Sequence, residues 1–208
     1  MKGFIILGLS VSSVLSAQTD STQIKEIQEV SFTRRLPVSK EIINVQKDLG
    51  SKNLGQDLPI LLKNQMSVVA TSDAGNGVGY TGFRIRGSAG TSINVMLNGV
   101  PYNDSESQGT FFVNIPDMAS SASQIVIQRG VGTSSNGTAS FGASVNILTK
   151  NPDEKPYVLG QFSAGSFNTL KTSFEAGSGK FLNNLLSVSA RYSTINSDGY
   201  IDRASSKL

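Results

Sequence analysis

The sequence predicts an α+β unit, a mixed sheet with short helices and long loops, followed by the first antiparallel strands of a transmembrane β-barrel. Three observations carry this expectation. Apolar runs between residues 41 and 148 are short and end on Gly, Asn or Pro, as strands in a loop-rich fold do. Beyond Pro156 the pattern changes to longer segments alternating apolar with polar residues. The first seventeen residues also carry an export signature, so any membrane span after them must be built from strands.

Residues 1–17 read as a signal peptide. Met1-Lys2 gives a minimal positive start, Phe4 to Leu15 is apolar apart from Gly and Ser, and Ser16-Ala17 precedes Gln18 where signal peptidase would cut. The run is too short for a membrane-crossing helix, which needs roughly 20 apolar residues. Residues 18–37 are polar and mixed, a flexible leader with one β-like patch, Ile27 to Phe32.

A compact region is expected over 38–150. Glu41 to Val45 suits a strand. Gln56 to Asn64 suits a short helix, with Pro59 in the first turn, where a missing N–H does little harm. Ser67 to Ala70 is strand-like, Gly75 to Gly82 a glycine loop, and Phe83 to Gly87 a strand alternating apolar and basic residues. Ile93 to Leu97 meets Asn98-Gly99, a strong hairpin-turn pair. A polar loop from Asn103 to Thr110 follows, then Pro116-Asp117-Met118 opens a short helix. Gln124 to Arg129 and Ala143 to Leu148 are further strands.

Residues 151–208 should hold about three barrel strands: Tyr157 to Gly165, Leu170 to Gly177 and Leu185 to Ser193. In the second, Leu170, Thr172, Phe174 and Ala176 share one face, with Lys171, Ser173 and Glu175 on the other. In the third, Leu186, Val188, Ala190 and Tyr192 oppose Ser187, Ser189, Arg191 and Ser193. Such alternation suits a barrel with lipid outside and polar lumen inside, and it also suits a soluble antiparallel sheet. The signal peptide favours the barrel.

Composition removes most enzyme classes. With no Cys and no His there is no thiol nucleophile, no His general base and no Cys or His metal ligand. No catalytic residue, cofactor or metal is expected. The net charge of +3 is too small, and too evenly spread, to argue for nucleic acid. Two phosphate-like patterns fail on context. Gly77-Val78-Gly79-Tyr80-Thr81-Gly82 spells G-x-G-x-x-G but leads into a strand, where a dinucleotide site needs a helix. Gly132 to Gly137 has P-loop spacing, but Thr138-Ala139 stands where Lys and Ser or Thr are required. Asp104 and Glu106 lie in a Ser- and Gln-rich loop, where carboxylates are either solvated or in contact with a ligand.

Five blocks in order and register resemble the plug domain of TonB-dependent outer-membrane receptors. They are Phe83-Arg84-Ile85-Arg86-Gly87, Val95 to Pro101, Ile125 to Gly130, Gly137 to Ala143, and Val145 to Lys150. The resemblance covers roughly residues 38–150. It implies a plug lodged in the lumen of a barrel of about 22 strands. It further implies import of a scarce ligand with energy relayed by the periplasmic partner TonB, in the cell outer membrane and in contact with its lipid. Small molecule, glycan and metal chelate all remain open as cargo.

The resemblance also assigns candidate residues. Glu29, Val30, Ser31 and Phe32 resemble a TonB box, a segment that adds a strand to its partner through main-chain pairing. Arg86 and Arg129 resemble the family's plug arginines, which pair with barrel glutamates; here those partners are expected beyond Leu208. Tyr80 and the loop residues Asn103, Asp104, Ser105, Glu106 and Gln108 are expected at the ligand-facing apex. The stretch before the TonB-box-like patch leaves no room for an N-terminal signalling domain.

Length is the departure. Residues 151–208 suffice for three or four strands, and an open three-stranded piece leaves backbone edges unpaired in lipid. The chain is therefore expected to be a fragment of a receptor. The competing expectation is an exported binding or adhesion module without transport, or a decayed receptor gene.

Overall fold

The computed structural model describes residues 39–131, 140–151, 153–183 and 185–208. The expected signal peptide, the TonB-box-like patch and the Gly132–Gly137 segment lie outside them.

Five strands form a mixed sheet in the order β1-β6-β7-β4-β5. They are β1 (Ser39–Asn44), β4 (Ile93–Leu97), β5 (Val100–Pro101), β6 (Ala122–Arg129) and β7 (Ala143–Thr149). Only β4 and β7 run parallel; the other pairs are antiparallel. Buried side chains occupy both faces of β4 (Ile93, Asn94, Val95, Met96), which marks it as an interior strand. Ile125 and Ile127 of β6, with Val145 and Ile147 of β7, complete the centre of the core. Asn98 (φ 52°) and Gly99 (φ 84°) both adopt left-handed backbone, the geometry a two-residue hairpin turn between β4 and β5 requires.

A second, two-stranded sheet pairs β2 (Val68–Ser72) with β3 (Thr81–Ile85) around the glycine loop. Phe83 crosses to Phe112 at 5.4 Å between ring centres and ties this hairpin to the main core. The strand expected over Phe83–Gly87 stops at Ile85. Arg86 and Gly87 take positive φ, and the Ser88 N–H closes a turn onto Ile85. The helix expected over Gln56–Asn64 contracts to α1 (Leu58–Leu61). Asp57 is still extended at its start, and after Leu62 the chain proceeds by three-residue turns (Lys63 to Ile60, Gln65 to Leu62) towards β2. A helical turn over Val45–Leu49, unforeseen in the sequence, buries Val45 and Leu49 beneath an Asn44 cap. The Pro116 turn leads into α2 (Met118–Ser121), as expected.

The remaining strands form a separate antiparallel sheet: β8 (Tyr157–Gly165), β9 (Thr169–Phe181), β10 (Leu186–Ser197) and the short β11 (Ser206–Lys207). β9 outruns its predicted end because pairing continues to Phe181↔Leu186 past an irregularity between Ser187 and Ser189, and β10 outruns its own because it pairs on to Asn196↔Leu170 and with β11. At 13 and 12 residues they exceed the roughly ten a tilted membrane strand needs. Burial is inverted relative to a soluble sheet. Val158, Phe162, Phe174, Val188 and Tyr192 are exposed, whereas Lys171, Ser173 and Ser197 are buried. Among the described residues no helix is long and apolar enough to cross a membrane.

Candidate functional site

The polar face of the β8–β10 wall lies against the α+β unit, and one carboxylate organises the contact. Asp117 precedes α2 in left-handed backbone (φ 50°), a conformation Asp tolerates better than most residues. Its side chain is 2% exposed. Oδ1 accepts from Lys171 Nζ at 2.7 Å and Ser120 Oγ at 2.6 Å; Oδ2 accepts from Arg191 Nη1 at 2.6 Å and Ser193 Oγ at 2.9 Å. Arg191 also donates through Nη2 to the Asp117 carbonyl and through Nε to Ser121 Oγ. Lys171, on β9, has a fully enclosed side chain and a second acceptor in Ser120 Oγ at 2.8 Å. Asn53 donates to that same hydroxyl.

Burial by itself would push the Asp117 carboxyl up. The bonds from Lys171 and Ser120, with the charges of Lys171 and Arg191, outweigh it and hold the group below the usual carboxylate range. The ion pair is thus formed across neutral pH. Arg191 also stands opposite Glu175 in the β9–β10 register, and Glu175 accepts from Lys150 (3.0 Å) and Tyr157 (2.8 Å). Charge therefore alternates from Lys171 through Asp117 and Arg191 to Glu175 and Lys150. Gly55 abuts the same wall: a Cβ there would fall 2.8 Å from Ile195 Cδ1 and 3.0 Å from Lys171 Cδ, and its φ of 97° disfavours any side chain.

Asp57 lies nearby, 1% exposed, with Oδ2 accepting from Thr81 Oγ1 at 2.9 Å and Oδ1 lacking a hydrogen-bond partner among the described residues. Burial pushes its carboxyl up to about 6; bonds from the Thr81 hydroxyl and the Gly79 backbone pull the other way, and the charge of Asp117 adds to the rise.

Of the sequence-derived candidates, Tyr80 is 66% exposed at the end of the glycine loop, where its carbonyl accepts from the Asp73 N–H. Asn103 is committed internally: Oδ1 accepts from Val95 N, and Nδ2 donates to the Ile93 and Gln108 carbonyls. Asp104 caps its own loop, accepting from Ser107 N, Ser107 Oγ and Glu106 N, and the Ser107 bonds hold its carboxyl low. Gln108 donates to the Ser105 carbonyl. Ser105, Glu106 and Gln108 are exposed, so this loop is a rigid, self-bonded platform with polar groups outward.

Arg86 reaches the chain just after β6: a Cβ on Gly130 would lie 3.5 Å from Arg86 Nη1. Arg129 is 4% exposed, donates to the Met66 carbonyl, and forms an ion pair with Glu41 of β1, within the α+β unit. The contact with the wall runs instead through Asp117, with the acid on the α+β unit and the cations on the strands. In the sequence, Asp117 had registered only as a helix opener. The available signal was a pair of basic residues, Lys171 and Arg191, on the polar faces of adjacent alternating strands.

An α+β unit seated by ion pairs on the polar side of an outward-apolar wall is the architecture of a plugged outer-membrane barrel. The chain belongs to the TonB-dependent receptor plug domain family, whose model matches residues 33–144. A comparison with curated sequences finds no match. Among solved structures, the copper transporter OprC is similar with a TM-score of 0.62 at 15% identity, over 81% of this chain and 26% of that one. The alcaligin outer-membrane receptor FauA from Bordetella pertussis has 0.60 at 17% identity, over 80% and 27%. The ferric yersiniabactin uptake receptor FyuA from Yersinia pestis has 0.56 at 15% identity, over 77% and 24%. At these identities the likeness is one of fold, and the chain spans about a quarter of each structure's length.

Proposed function

We propose that this chain is the plug and the opening strands of an outer-membrane importer that takes up a scarce ligand with energy delivered by TonB. The observation that carries the reading is the inverted wall: exposed Phe162, Phe174, Val188 and Tyr192 on one side, buried Lys171 and Ser173 on the side of the plug. A soluble sheet burying polar side chains while exposing this much apolar surface would be unstable in water, whereas lipid satisfies both faces. The similarity to a ferric yersiniabactin uptake receptor, an alcaligin outer-membrane receptor and a copper transporter supports a small chelate or metal as cargo class. Glu29 to Phe32 is the TonB-contacting segment in this reading, and the Asn103–Gln108 platform with Tyr80 is the ligand-facing part of the plug. Arg86 and Arg129 contribute to holding the plug in the complete barrel.

The test is ligand-dependent growth or radiolabelled uptake, with a panel of ferric siderophores and copper, in cells with and without TonB. Uptake that requires TonB and is abolished by deleting residues 29–32, at unchanged receptor level, is expected. Uptake indifferent to both changes would overturn the reading.

A further inference from the structure

Resting on the importer reading, we propose that Asp117 is the docking residue of the plug: its capture by Lys171 and Arg191 seats the plug against the first barrel strands. Among the described residues, the plug and β8–β11 already enclose Lys171 completely and leave Asp117 2% exposed. Every donor to the Asp117 carboxylate other than Ser120 comes from β9 or β10, the second and third strands of the wall. Around this point the surfaces also fit without side-chain bulk, since Gly55 lets Ile195 and the Lys171 stem approach the plug backbone. Asp117 is a positioning residue that acts through the wall cations.

Ile195 supplies the probe. It is 2% exposed and packed against Gly55, so a cysteine there is alkylated only when the plug lifts. The receptor is produced with its complete barrel and carries Ile195→Cys in outer-membrane vesicles; the rate of maleimide labelling is measured with and without Asp117→Asn. The substitution leaves Lys171 buried and uncompensated, so labelling should accelerate on the order of a hundredfold while the heat-shifted folded-barrel band keeps its intensity. Adding Lys171→Met should return part of the protection, because the stranded charge is then gone. Asp202→Asn, in an exposed turn, should change nothing.

An unchanged labelling rate in Asp117→Asn, or no recovery with Lys171→Met, overturns the proposal. If Asp117→Asn lowers the amount of folded barrel, Ser120→Ala and Ser193→Ala decide the matter. Each removes one hydroxyl donor and should speed labelling about fivefold, and unaltered rates would refute docking through Asp117. Labelling needs no transport, so the two readings fail separately. Asp117-dependent protection without TonB-dependent uptake would sink only the importer; TonB-dependent uptake with Asp117-independent protection would sink only the docking role.

Discussion

Two buried carboxylates in the plug face opposite fates, and the difference is one of partners. Asp117 meets two cations and two hydroxyls, while Asp57 has the Thr81 hydroxyl on one oxygen and no partner for the other among the described residues. The depressed Asp117 group contributes stability that is present above the unfolded value of 3.8 and is lost as pH falls through its folded pKa. Asp57 works in reverse: its folded pKa of about 6 means the fold binds the proton more tightly, so stability declines as pH rises from about 4 to 6 and stays lower above. At neutral pH that penalty is on the order of 3 kcal/mol. Thermal unfolding of the plug across pH 4–7 should therefore show a falling stability that Asp57→Asn flattens; an identical slope in the variant would contradict the assignment. Neither partnership was legible in the sequence. Asp117 and Arg191 lie 74 positions apart, and Glu41 and Arg129 lie 88 apart. Such contacts depend on how sheets stack, which local patterns do not encode.

At the scale of elements, local chemistry was readable and extent was not. The Asn98-Gly99 turn, Pro59 in the first turn of α1, and the faces of β9 and β10 follow from residue types and period alone. The length of β9 was hidden by Gly177, Ser178 and Gly179: Gly179 takes left-handed backbone (φ 66°) at the irregularity opposite Ser187 and Ser189, and pairing with β10 resumes at Lys180. Arg86 read as part of an alternating strand, yet the Ile85–Ser88 turn takes it out of the ladder. The inverted faces make a direct prediction. Phe162→Arg, at a 72% exposed outward position, should reduce folded receptor in the membrane by about 2–4 kcal/mol if it lies near the bilayer centre. Folding titrations in lipid vesicles would measure it. A neutral effect, the usual result for an exposed site in water, would contradict a lipid-facing wall. In the turn, Gly99→Val at φ 84° should cost about 1–3 kcal/mol in unfolding experiments, and no cost would mean the turn is not held as described.

For the whole molecule, the plug's mixed sheet and the wall are distinct sheets joined by the stretch from Lys150 to Pro156 and pinned together at Asp117. Family and architecture were readable in the sequence, because five short blocks in register leave few alternatives; the mode of attachment was not. The barrel partners expected for Arg86 and Arg129 lie beyond Leu208, and the contact through Asp117, with the acid on the plug and the cations on the wall, is a separate one. The seated plug explains how an open wall with an enclosed lysine holds together in this chain.

The most direct measurement is an immunoblot of outer-membrane fractions from the source cells, heated and unheated, with antibody against residues 39–131. A band about three times the 22.0 kDa of this chain, migrating faster when unheated, is the expected result. A band at 22.0 kDa confined to the periplasm, with no heat-dependent shift, would contradict a plug seated in a membrane barrel.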